Sequence, residues 1–167
     1  MDPVLERLQR TIQSVIRDLP AERLRSHPPG KWCIAEVLEH LYLTYTGTIK
    51  GCERVLQAGK PLARESKWTD RAKTFVVVNL GYLPSGREAP STTRPKGLPT
   101  EKVMAEILPK IVEMDAVIAQ CEQKCGTAKM LDHPLLGPLT GAEWRKFHLV
   151  HGSHHAKQIR RLRGIAA

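Results

Sequence analysis

The stretch Trp144–Arg163, WRKFHLVHGSHHAKQIRRLR, holds four of the chain's seven histidines and reads as a single helix. At about 100° per residue, Phe147, Trp144, Leu162 and Ile159 gather within an arc of about 120°. Arg145, Lys146, Ser153, Lys157, Arg160 and Arg163 take the opposite side. His151 and His155 fall inside the apolar arc, one turn apart on one face. That His-x-x-x-His spacing lets two ring nitrogens reach one metal ion. Hydrogen-bonded core histidines are the alternative, but each neutral ring then needs both a donor and an acceptor partner. His148 falls near the edge of the arc and could replace either ligand, whereas His154 is expected to face solvent.

Three further stripes of helical period lie upstream. Val4, Leu5, Leu8, Ile12, Val15, Ile16 and Leu19 predict a first helix from about Pro3 to Leu19. Pro3 suits a first turn, and Pro28-Pro29-Gly30 makes a break. A second helix is expected from about Trp32 to Leu56, with Cys33 and Glu36 in capping-box positions where a thiol is a poor cap. His40 lies beside Thr44, off the centre of that stripe, and by pattern alone is a surface or boundary residue. A third helix is predicted from about Thr100, as N-cap, to Lys124, with Gly126 as the stop. Asp132–Leu139 reads as a turn of fixed backbone, and Thr140 with Glu143 as a capping box for the last helix.

Residues 58–99 are the irregular part. Trp68–Leu83 can be a short helix or an extended piece, and the proline-rich Pro84–Pro99 reads as an extended loop. That loop serves as a crossover between distant helix ends or as a lid over a site. Four long helices with one long connection predict a single all-α domain over residues 1–167. The expected form is a four-helix bundle, up-down-down-up, with the crossover between helices two and three.

Composition bounds the function classes. The 26 basic and 17 acidic residues leave a net charge of +9, but the basic residues are scattered and contain no run of five. A solvated basic surface is therefore favoured over a nucleic-acid partner; Lys157–Arg163 offers phosphate contacts without a base-reading motif. Cys33, Cys52, Cys121 and Cys125 form no Cys-x-x-Cys pair, and no apolar run approaches a membrane span. No secretory leader is expected, because Met1-Asp2-Pro3 runs into an amphipathic segment. A reduced, cytoplasmic protein is the expectation.

Three segments resemble the DinB-like superfamily, the damage-inducible or thiol-transferase-like four-helix bundles. Lys31-Trp32-Cys33 through His40-Leu41 is similar to that family's Trp-Ser segment followed by His-Leu on helix two. His133–Thr140 with Glu143-Trp144 looks like an uncharacterised branch, and His151–Ile159 is similar to the family's His-x-x-x-His-x-x-Gln-Ile. Cys33 departs from the usual serine. The resemblance implies a divalent metal held by His40, His151 and His155, with zinc, nickel, iron and copper all suited to imidazole. It also implies an activity: transfer of a low-molecular-weight thiol to an electrophilic small molecule, with no residue assigned as general base. Alternatives are a hydrolase using activated water and a non-catalytic bundle, possible as a homodimer, that binds a small ligand or protein.

Overall fold

The computed structural model describes residues 1–83 and 88–164, so part of the Pro84–Pro99 loop lies outside the described residues. Among the described residues the chain is mostly helical, with four long helices and one small antiparallel ribbon.

The first helix, α1, spans Pro3–Ile16. The Asp2 carboxylate caps it by accepting from the Val4 N–H at 2.8 Å, and Leu5, Leu8 and Ile12 are wholly buried. It stops short of the expected Leu19 because Arg17 leaves the helix in an extended conformation, at ψ 135°, and Asp18 then enters the left-handed region at φ 52°. A single turn, α2, follows at Ala21–Leu24.

The second long helix, α3, spans Ile34–Ala58. It starts two residues later than predicted because Cys33 is the N-cap, whose N–H is accepted by the Glu36 carboxylate at 2.8 Å. Within the connection, Trp68–Thr74 forms α4 and runs into a π-helical turn at Phe75–Asn79. The ambiguous apolar run is therefore helical. Trp68, Phe75, Leu80 and Tyr82 on this segment are exposed.

Thr100–Cys125 forms α5. Thr100 is its first helical residue rather than its cap; Pro99 holds the cap position and supplies no side-chain hydrogen bond. Gly126, at φ 60°, ends the helix as expected.

Asp132–Leu139, expected as a turn, is a ribbon: β1 (Leu131–His133) pairs antiparallel with β2 (Gly137–Leu139), His133 opposite Gly137. Gly137 sits at φ 78°, and a Cβ there would lie 2.6 Å from the Asp70 carboxyl carbon, so no larger residue fits. The last helix, α6, spans Gly141–Leu162. Its predicted capping box is formed: the Thr140 hydroxyl accepts from Glu143 N–H at 3.2 Å, and Glu143 accepts from Thr140 N–H at 2.8 Å.

The long helices share one aliphatic core that includes Leu38, Leu41, Ile107, Ile111, Met114 and Ile118. Along α1 and α6 the pairings climb together: Asp2 lies 3.8 Å from Arg145, Leu8 faces Gly152, and Arg163 donates to the Val15 carbonyl at 3.0 Å. A Cβ on Gly152 would meet Leu8 Cδ1 at 2.3 Å, so this glycine sets the closeness of the two helices. Along α3 and α5 the pairings also climb together, from Tyr42–Glu106 at 2.6 Å to Cys52–Cys121 at 3.4 Å. Between α3 and α6 the order reverses: His40 meets His151 and His155, while Thr48 meets His148.

Arg145, expected on the polar side of α6, is buried. Its Nε donates to Asp115 at 2.8 Å and its Nη1 to Glu122 at 2.7 Å, because α5 covers that side. The four cysteines are free thiols. Among the described residues no helix is long and apolar enough to cross a membrane.

Candidate metal centre

His151 and His155 stand one turn apart on α6 and meet His40 from α3. The antiparallel crossing of these helices does what neither sequence stripe requires: it turns the off-centre flank of α3 toward α6. His40 is only 5 % exposed, against the boundary position its own helix pattern suggests. His151 and His155 are also buried.

All three rings point Nε2 at one place. His151 Nε2 lies 3.1 Å from His40 Nε2 and 3.1 Å from His155 Nε2. The outward nitrogens are held by acceptors. His40 Nδ1 donates to the Thr93 carbonyl at 2.8 Å, and His155 Nδ1 donates to Gln158 Oε1 at 2.9 Å. A neutral ring carries one proton, so the Nε2 atoms of His40 and His155 are bare lone pairs. His151 Nε2 can offer a proton to one of them at most. At least one 3.1 Å contact therefore sets lone pair against lone pair, an arrangement that costs free energy unless a cation sits among the nitrogens. His151 Nδ1 has no partner among the described residues, and its ring lies stacked on Phe147 at 5.3 Å.

Protonation is a poor source of that cation. Burial lowers the pKa of His40, against an opposing contribution from the Thr93 hydrogen bond. Burial pushes His155 down to about 3 and His151 well below its ordinary value, with the neighbouring rings adding repulsion. All three are neutral near pH 7, the form that ligates metals. Two nitrogens about 2.0–2.1 Å from a shared ion, as in zinc–imidazole sites, would stand 3.1 Å apart at an angle of roughly 100°. The donor set thus fits a divalent ion: a buried His40–His151–His155 triad could hold one.

The triad forms part of the wall of a cavity of about 450 Å³, whose other walls include Trp32, Thr44, Leu131, His133 and Phe147. Space for a ligand therefore adjoins the three nitrogens. The other histidines are placed differently. His148 is fully buried but turns Nε2 to the Thr48 hydroxyl at 3.0 Å, so it is not part of the triad. His154, expected in solvent, is half-buried and lines the cavity. A second grouping, His27, Cys33 and Glu36, sits at the start of α3. There Glu36 is occupied in capping and His27 is exposed.

Two supporting groups escaped the sequence reading. Thr93 contributes a backbone carbonyl from the irregular segment, for which no residue-type signal exists. Glu39, 3 % exposed, accepts from the Lys96 and Gly97 N–H groups at 2.6 and 3.1 Å, tying that segment to α3 beside His40. Gln158 did leave a signal, three residues beyond His155 and one turn along the same face.

No curated protein and no solved structure matches the chain significantly. One family matches residues 5–162, which takes in the four long helices, all but the first two residues of α1, and every residue of the triad. The chain belongs to that family, described as "Protein of unknown function (DUF1569)".

Proposed function

We propose that His40, His151 and His155 bind a divalent metal ion, zinc, nickel or iron, in a DinB-like four-helix bundle. The proposed activity is transfer of a low-molecular-weight thiol to an electrophilic small molecule. The observation that carries the metal reading is the convergence of three Nε2 atoms that together hold at most one proton. The helix pairings support an up-down-down-up order: α1 with α6 and α3 with α5 match in one direction, and α3 with α6 in the other.

Each residue then has a defined part. The Thr93 carbonyl and Gln158 amide hold the outer N–H of His40 and His155, which keeps their Nε2 lone pairs inward. Phe147 fixes the His151 ring by stacking. A cavity of about 450 Å³ has room for two small reactants, and its largely apolar wall suits a carbon electrophile. Held by the three imidazoles, a divalent ion would supply Lewis acidity and so lower the pKa of a thiol. In the reaction the carbon–sulfur bond forms, the bond to the leaving group breaks, and the thiol proton departs with the leaving group.

The test is product analysis with 1-chloro-2,4-dinitrobenzene as electrophile, using protein loaded with zinc, nickel or iron. The thioether should form faster than background only with both metal and thiol present, and not with His151→Ala. A dinitrophenol formed without thiol would assign the site to water activation instead. Absence of either product above background would overturn the transferase reading for this electrophile class.

A further inference from the structure

His133 stands at the end of β1 with its ring against both cavities of this region. Its Nδ1 accepts two backbone hydrogen bonds, from Leu135 N–H at 3.1 Å and Leu136 N–H at 3.2 Å. Backbone N–H groups only donate, so Nδ1 must present its lone pair and the ring proton must sit on Nε2. Burial pushes the pKa of this ring down to about 4, so it stays neutral near pH 7. The tautomer is thus written into the turn His133-Pro134-Leu135-Leu136.

The opposite edge of the ring points away from that turn, and among the described residues nothing accepts from Nε2. The ring cannot swing freely. It packs on Phe147 at 4.2 Å and lies 5.3 Å from Trp144. Phe147 also stacks on His151, so the His133 and His151 ring centres are at most about 9.5 Å apart. A second, largely apolar cavity of about 300 Å³, with Val76, Val77 and Leu136 in its wall, also borders His133.

We infer that the His133 Nε2–H is a fixed hydrogen-bond donor for a carbonyl or carboxylate oxygen of the ligand whose other end sits at the triad. The ligand class is a small molecule with an acceptor a few bonds from its metal-seeking atom. A ligand ending in an ammonium group would set N–H against N–H and is disfavoured. His133 is a specificity-determining residue in this account. The triad end of the ligand rests on the metal reading above; the tautomer of His133 does not.

Two measurements test it. The first uses metal-free protein and two-dimensional ¹H–¹⁵N spectroscopy of the imidazole rings. His133 should show the Nε2–H tautomer with no titration between pH 5.5 and 8; the Nδ1–H tautomer would overturn the inference. The second uses cobalt(II)-loaded protein, whose sulfur–cobalt absorption reports thiol seating, with ω-mercaptoalkanoates and ω-aminoalkanethiols of matched chain length. At one chain length the carboxylate should bind about tenfold tighter or more, the size of one good hydrogen bond. His133→Asn should abolish that preference, because an asparagine oxygen can still accept from the turn N–H groups while the distant donor is gone. An equal preference in the folded variant would overturn the inference. If cobalt does not bind, the metal reading fails. The inference is then decided by whether a mercaptoalkanoate shifts the His133 Nε2–H resonance, and no shift would overturn it.

Discussion

Replacing His148 by leucine should make the protein less sensitive to acid. His148 is fully buried among Trp144, Phe147 and Tyr45, its Nδ1 has no partner, and burial pushes its pKa down to about 3. The folded form therefore holds it neutral, while the unfolded chain titrates near pH 6.5. As pH falls below about 6.5, the unfolded state takes up a proton that the folded state refuses. Stability is full above about 6.5, drops with pH, and stops dropping only near the folded value of about 3. At pH 5 the loss is about 2 kcal/mol for this one ring. His155 and His133, pushed down to about 3 and about 4 by burial, bring the loss to about 6 kcal/mol for the three. That is comparable with the whole stability of a typical domain, about 5–15 kcal/mol. Leucine nearly matches the volume, removes an unpaired polar atom, and leaves Thr48 its 3.3 Å bond to the Thr44 carbonyl. Urea unfolding of chelator-treated protein at pH 7 and pH 5 is the assay. The two proteins should agree within about 1 kcal/mol at pH 7, and His148→Leu should be the more stable by about 2 kcal/mol at pH 5. Equal losses in both between the two pH values would refute the reasoning.

Gly152→Ala should destabilise by about 1–3 kcal/mol in a thermal melt, because its methyl would force the fully buried Leu8 side chain to shift. Arg145→Ala should cost about 3–5 kcal/mol in urea unfolding, since it strips the buried Asp115 of its guanidinium partner. Glu39→Ala leaves the Lys96 and Gly97 N–H groups without their acceptor and should cost about 1–3 kcal/mol. Limited proteolysis of that variant should show faster cutting around residues 93–97.

What was legible in the sequence followed from periodicity. The α6 stripe, its capping box and the inward pair His151 and His155 each depend on neighbours three or four residues apart, which a sequence displays directly. His40 was different. It lies off the stripe of α3, and its burial depends on which second helix covers that flank. Only the resemblance to a known bundle family named it beside the other two. Arg145 was misread for the same reason: its place on the wheel is polar, but α5 supplies the carboxylates that let it be buried. The ribbon at Leu131–Leu139 was missed because three-residue strands are too short to show alternation. Thr93 acts through its carbonyl, an atom every residue owns, so nothing in its side chain could have marked it.

The most direct test of the central claim is zinc titration by calorimetry, with elemental analysis of the product, on protein prepared without a histidine tag. The triad predicts one ion per chain, bound below pH 8 with proton release only where buffer or a ligand supplies it, since all three rings are already neutral. Binding should be lost in His40→Ala, His151→Ala and His155→Ala alike, and retained in His148→Leu, whose ring faces Thr48 instead. Stoichiometric zinc that survives all three triad substitutions, or wild-type protein that takes up no divalent ion, would contradict the account.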